Sequence, residues 1–333
     1  MVDLSALMIF TIALAFFFDF MNGFHDAANA IATIVVTKVL TPHQAVLMAA
    51  IANFTGAFLF SVHVATMVGK GIVDPSSINV YVIMAALVGA ILWDIITWLF
   101  GIPTSSSHAL IGGIIGSVIV SSGVHPIHFS NIMKIFYFIF VAPALGFMGA
   151  SLFTIAIFNL FKKSGPAALN KRFGKWQLAS SFCYSLGHGT NDAQKTMGVI
   201  SLLLFSAGAI KEFHVPAWVI FSCYAAISLG TYLGGWRIVK TMGTKITKLR
   251  PLEGFCAEGA GGLVLLITAA MGIPVSTTHV IAGSIMGVGF VENFKTVRWI
   301  TARKMVWAWV LTIPLSAIIA AISYFIIHLI RLI

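Results

Sequence analysis

Two short polar stretches interrupt an otherwise apolar chain. Residues 101–116 read GIPTSSSHALIGGIIG, and residues 272–287 read GIPVSTTHVIAGSIMG. Setting Gly101 on Gly272, 171 residues along, matches Gly, Ile, Pro, Ser, His, Gly, Ile and Gly. Pro103 and Pro274 have no backbone N–H, so each helps to end one helix, and the hydroxyl residues behind it stand where the next begins. A helix start offers unpaired amide N–H groups at the positive end of its dipole, and hydroxyls add neutral donors. This chemistry suits a tetrahedral oxyanion, phosphate or sulfate. Thr104, Ser105, Ser106 and Ser107 would hold it from one copy, and Ser276, Thr277 and Thr278 from the other. N-capping alone accounts for Ser and Thr at one such position; a duplicated cluster argues for more.

A second pair of motifs supplies the opposite charge. GFHDAANA at 23–30 and GTNDAQKT at 189–196 align Gly23 with Gly189, His25 with Asn191, Asp26 with Asp192 and Ala27 with Ala193, an offset of 166. Asp26 and Asp192, flanked by Asn22, Asn29 and Asn191, offer oxygen ligands to a hard cation such as sodium, beside glycines that would permit a helix to unwind. A buried carboxylate could instead carry a coupling proton, or pair with Lys195 or a histidine to hold helices together. Lys195 is expected beside an Asp or near the anion, because an unpaired lysine inside a membrane is costly. Asp94 and Glu258 are not repeat equivalents, and each reads as a cation ligand or a structural polar contact; Asp19 ranks below them. His108 and His279 follow the hydroxyls at matching positions and read as backbone-bonded histidines, anion contacts or proton relays.

These residues need a scaffold, and composition says which kind. The 333 residues are 59% hydrophobic and 9% charged with a mean hydropathy of +0.99, too few polar groups to cover a soluble surface. The apolar runs are too long and uniform for barrel strands, so the chain is an all-α polytopic membrane protein. The first run lacks a basic leader and reads as a retained helix. A net charge of +10 does not point to nucleic acid, because the basic residues gather in a few loops. Cys183, Cys223 and Cys256 lack metal spacing and read as core residues. Gly112, Gly113, Gly116, Gly283 and Gly287 make small-residue faces for close helix contact, ahead of a homodimer interface.

Two motifs repeated in the same order imply two homologous halves. They are drawn as 1–165 and 176–333, joined by a basic cytoplasmic linker, 166–175, containing Lys171, Arg172 and Lys175. Taking each Asp motif as the break in one long crossing, and each hydroxyl motif as the turn of a hairpin returning to its own side, gives two sets of loops. Loops 37–43, 161–175, 237–250 and 293–304 carry 15 of the 20 basic residues. The amino end with Asp3, loops 69–79, 124–134 and 211–215, and the carboxyl end carry Lys70, Lys134, Lys211 and Arg331. The positive-inside rule then puts the first set in the cytoplasm and both termini outside. The halves are thereby inverted, an architecture of secondary transporters whose sites lie near the midplane between repeats. Re-entrant and fully spanning hairpins fit the loop sides equally.

GFHDAANAIAT with GTNDAQKTMG, and GIPTSSSH with GIPVSTTH, resemble the two conserved motif pairs of the inorganic phosphate transporter (PiT) family, over both halves. The resemblance implies no enzyme but a symporter in the cell (inner) membrane, importing inorganic phosphate by alternating access. Sodium serves some members as co-substrate; protons, often with metal-phosphate as the cargo, serve others. The family's first motif commonly reads GANDVANA; His25 replaces its Asn here, whereas Asn191 keeps it. The expected mechanism places sodium at Asn22, Asp26, Asn29, Asn191 and Asp192, offsetting the charge of phosphate held by the hydroxyl motifs, with no cofactor beyond the ions. A proton-coupled phosphate or sulfate permease is the alternative. An anion channel could use the same half-helix ends, and an intramembrane aspartyl protease would leave the hydroxyl motifs unexplained.

Overall fold

The computed structural model describes residues 4–58 and 62–332; Asp3 lies outside the described residues. Among them the chain forms twelve α-helices, short 3-10 turns and one isolated β-bridge between Val73 and Ile127. The first six helices are α1 Leu4–Val36, α2 Pro42–Thr55, α3 His63–Gly71, α4 Val80–Phe100, α5 Ser106–Ser122 and α6 Phe129–Leu160. The next six are α7 Pro166–Ser206, α8 Ala217–Leu233, α9 Trp236–Thr244, α10 Pro251–Ala270, α11 Thr277–Glu292 and α12 Trp299–Leu332. Lengths follow one pattern in both sets: 33, 14, 9, 21, 17 and 32 residues, then 41, 17, 9, 20, 16 and 34. The fold is that of two inverted-topology repeats with broken helices and helical hairpins. Among the described residues five helices are long and apolar enough to cross a bilayer alone, or up to seven spans if each bent pair counts as one.

The breaks do not fall where the glycines of the Asp motifs suggest. α1 runs unbroken through Gly23 and α7 through Gly189. These glycines let helices touch: a Cβ on Gly23 would lie 2.1 Å from the Ile227 carbonyl oxygen, and one on Gly189 would lie 2.7 Å from the Asn53 Cα. Instead α8 and α9 are bent by 71° at Gly234 and Gly235, and α2 and α3 lie at 81° to one another. Gly234 takes φ +70°, a conformation other residues avoid.

Residues 166–175 also differ from the loop expected there. They form the first turns of α7, begun by Pro166 at the first helical position and held by Phe173, which is buried among Phe161, Trp176 and Phe255. The connection between α6 and α7 is only residues 161–165.

Each half lends its last helix to the other. α6 packs on α10 and α11, and α12 packs on α4 and α5. The small-residue faces serve these contacts: a Cβ on Gly116 would lie 2.0 Å from the Ala317 carbonyl oxygen, and one on Gly283 would lie 2.1 Å from that of Pro143. Outside, Phe140, Met148 and Leu152 on α6 and Trp307, Ile318 and Phe325 on α12 are exposed, an apolar surface that fits a multi-pass membrane protein.

Loops assigned to one side of the membrane by charge do meet. The Arg298 N–H donates to the Ile246 carbonyl at 2.9 Å, joining 245–250 to 293–298. At the other end the Asp74 N–H donates to the Pro126 carbonyl at 2.8 Å, and Lys70 lies over the Phe213 ring.

Candidate functional site

The two hairpins are built alike at their tips. α4 ends at Gly101 with φ +63° and the Ile102 N–H bonded to the Thr97 carbonyl at 2.9 Å. α10 ends at Gly272 with φ +68° and the Ile273 N–H bonded to the Thr268 carbonyl at 2.9 Å. A left-handed glycine with this bond is a Schellman stop, and the proline behind it keeps the chain extended until the next helix. Ser105 and Ser276 then cap α5 and α11, accepting from the His108 N–H at 3.2 Å and the His279 N–H at 3.3 Å. The capping role is therefore real, and it leaves each hydroxyl proton free to donate. All seven hydroxyl residues, Thr104 to Ser107 and Ser276 to Thr278, are buried.

The long helices bring the Asp motifs to these tips. Ligand atoms of Asp26, His188 and Asp192 lie within 4.8 Å of one another, all buried. Asp192 accepts from Lys195 Nζ at 2.5 Å and from Thr277 Oγ1 at 3.0 Å, and its Oδ2 lies 3.3 Å from His188 Nε2. Lys195 also donates to Ser107 Oγ and to the Val275 carbonyl. Asn29 Nδ2 donates to Thr278 Oγ1 at 2.8 Å and more weakly to Thr277 Oγ1 at 3.3 Å. Each Asp-motif helix thus reaches across to the hydroxyl motif of the opposite half.

Several buried oxygens there have no partner. The amide oxygens of Asn22, Asn29 and Asn191 accept no hydrogen bond, although all three residues are at most 1% exposed. The carboxylate of Asp94 is buried as well, with the Ser106 hydroxyl as its polar neighbour. Buried oxygens are rarely left unpartnered, and those of Asn22 and Asn29, which share a face of α1 with Asp26, fit a cation.

The first half carries one further connection. His25 Nδ1 lies 2.6 Å from Asp26 Oδ1, its Nε2 lies 3.1 Å from Thr97 Oγ1, and Thr104 Oγ1 donates to that same hydroxyl at 3.0 Å. Glu258 belongs to a separate cluster: Thr33 and Gln177 donate to its Oε1 and Ser180 donates to its Oε2 at 2.7 Å. Asp19 accepts from Thr196 Oγ1 at 2.9 Å. His108 and His279 face each other, and His279 stacks on Trp309. A cavity of about 580 Å³ opens beside Gly272, lined by His63 and Lys70 of α3 and not by the Asp pair.

Sequence reasoning did not single out His188, Thr97 or Tyr184, whose hydroxyl donates to the Thr277 carbonyl at 2.9 Å. His188 could have been found, since it occupies the repeat position of Asn22 at the offset of 166. Nothing in the sequence marks Thr97 or Tyr184.

The model of the phosphate transporter family matches residues 22–320. A relative from Rhizobium meliloti (strain 1021), named "Probable low-affinity inorganic phosphate transporter", is 52% identical over 96% of this chain and 96% of its own. A relative of the same name from Bacillus subtilis (strain 168) is 44% identical over 98% of this chain and 99% of its own. A solved structure described as "The sodium-dependent phosphate transporter" superposes with a TM-score of 0.87 at 25% identity, covering 98% of this chain and all of that one. By the family match over almost its whole length, and by relatives that span it end to end, the chain belongs to the phosphate transporter family.

Proposed function

We propose that the protein imports inorganic phosphate coupled to sodium by alternating access, with phosphate held by Thr104, Ser105, Ser106, Ser107, Ser276, Thr277 and Thr278. Sodium is held by Asn22, Asp26, Asn29, Asn191 and Asp192. The observation that carries this reading is the pair of buried, unpartnered amide oxygens of Asn22 and Asn29, one helical turn either side of Asp26 on α1, where Asp26 and Asp192 have ligand atoms within 4.8 Å of one another. Such oxygens lose their hydration and gain nothing unless a cation takes its place. The cation and the anion then stabilise one another, so neither binds well alone. The sodium dependence named for the solved structure supports the same reading. Asp94, Lys195, Glu258, His108 and His279 are auxiliary. The halves are 1–165 and 176–333, joined through the basic stretch 166–175, in the cell membrane with both termini extracytoplasmic, as the gathering of basic residues in one set of loops supports.

One observation favours a second reading, coupling to protons. His25 replaces an amide by an imidazole in contact with Asp26, and Thr97 links it to Thr104 in the hydroxyl motif. Uptake of labelled phosphate into proteoliposomes under a sodium gradient, then under a proton gradient alone, separates the two. Stimulation by sodium at constant pH is expected; uptake that follows the proton gradient and ignores sodium would replace the first reading with the second.

A further inference from the structure

The two Asp motifs are equivalent in sequence but carry different charges. At the offset of 166, Asp192 corresponds to Asp26 and Lys195 to Asn29. Their contacts correspond as well. Asn29 donates to Thr278 and Lys195 to Ser107, and Thr278 and Ser107 are themselves equivalent at the offset of 171. Both side chains therefore occupy one repeated position, each reaching the hydroxyl motif of the other half. What changes is that a neutral amide in the first half is an ammonium in the second.

The surroundings of that ammonium are those of a hard cation. Lys195 Nζ meets a carboxylate oxygen of Asp192, a hydroxyl oxygen of Ser107 and the backbone carbonyl oxygen of Val275, 2.9 Å away. Carboxylate, hydroxyl and carbonyl oxygens together are a ligand set that hard cations take. An ammonium has three N–H donors, and all three are used here, so none remains to hold the anion. Charge gives the same answer. Asp26 and Asp192 have ligand atoms within 4.8 Å in a fully buried site, where two like charges repel at a cost that a nearby cation offsets. Lys195 compensates one of them from within the chain.

We propose that the Lys195 ammonium is a tethered cation occupying the second-half copy of a duplicated cation position, so that the transporter takes up one free cation fewer per phosphate than two matching halves would. The proposal rests on the reading of this site as a joint cation and phosphate site. It assigns the remaining free cation to the first-half position, around Asp26, with Asp192 shared between that cation and the Lys195 ammonium.

The test restores the residue of the first half. Lys195→Asn and wild type are reconstituted as full-length protein, and phosphate uptake is measured against sodium concentration alongside labelled sodium uptake. The variant is expected to carry about one more sodium ion per phosphate. A tenfold change in sodium below saturation should change its uptake about tenfold more than it changes that of wild type. An unchanged sodium order and ratio overturn the proposal. If Lys195→Asn does not transport, the shift of its unfolding midpoint with sodium against choline in detergent decides: a larger shift than in wild type supports the proposal, and an equal or smaller one overturns it. Lys195→Gln, with a longer amide, repeats the measurement should Lys195→Asn not fold. Failure of the sodium-coupling reading is distinguishable. Wild-type uptake would then ignore sodium, while Lys195→Asn should still acquire a sodium response.

Discussion

The imidazole rings of His108 and His279 meet edge to face with 5.0 Å between their centres, so the residues behind the two hydroxyl motifs touch across the molecule. Trp309 holds this meeting in place. Its ring stacks on His279 at 4.2 Å, and its indole N–H donates to the Pro103 carbonyl at 3.1 Å. Helix α12 therefore ties the tip of its own half's hairpin to the tip of the other.

Trp309→Phe keeps an aromatic face for His279 but leaves the buried Pro103 carbonyl without its donor. An unsatisfied buried acceptor costs about 1–3 kcal/mol, so the unfolding midpoint in detergent should fall, and fall further for Trp309→Leu. Equal midpoints for wild type and Trp309→Phe would show that the indole bond contributes nothing.

Ser105→Ala and Ser276→Ala each remove a cap to the N–H three residues on. Each should lower stability by about 1 kcal/mol. Because the same hydroxyls can donate to an anion, the double variant should also need more phosphate for half-saturation. Lower stability with unaltered phosphate dependence would reduce both serines to caps.

Both motif pairs, the helical class and the duplication were legible because they are local: a proline followed by hydroxyls, or a carboxylate in an apolar run, is visible within a dozen residues. The helix breaks were not. Gly23 and Gly189 carry the same letter whether a helix unwinds there or presses against a neighbour, and only the approach of Ile227 and Asn53 decides which. The start of α7 was obscured in the same way, since its lysines and arginine read as loop until Phe173 is seen buried beneath them. Tyr184 and Thr97 act through partners 93 and 72 residues away, distances at which a single sequence carries no signal.

The crossing of α1 and α8 gives a direct test of close approach. A Cβ on Gly23 would lie 2.1 Å from the Ile227 carbonyl oxygen, and one on Gly230 would lie 1.9 Å from that of Phe20. Backbone cannot yield as a flexible side chain does, so Gly23→Ala or Gly230→Ala should cost at least about 1–3 kcal/mol and reduce the yield of folded protein. Gly165→Ala is the control, with no atom within 4 Å of its new methyl. A Gly23→Ala protein as stable as the control would contradict the crossing.

At the open end of the α10–α11 hairpin, Arg250 joins two carboxylates of unequal burial: Glu253, 2% exposed, and Glu292, 31% exposed. Hydrogen bonding to Glu253 raises the guanidinium above its ordinary value. A folded-state value raised in this way stabilises the fold at all pH below the unfolded one, which for arginine covers the working range. The pair therefore does not open on the alkaline side. The two contacts should nonetheless differ in weight. Glu292→Gln removes a surface pair worth about 0–1 kcal/mol, with an effect that fades further in salt. Arg250→Ala leaves Glu253 buried with one backbone N–H of its own N-cap as remaining partner, at a cost nearer the 1–3 kcal/mol or so of an unpaired buried group. Chemical unfolding of both variants at low and high salt measures the contrast. Arg250→Ala should stay destabilised in salt; equal and salt-sensitive losses in the two variants would mean that Glu253 is stabilised by solvent and not by Arg250.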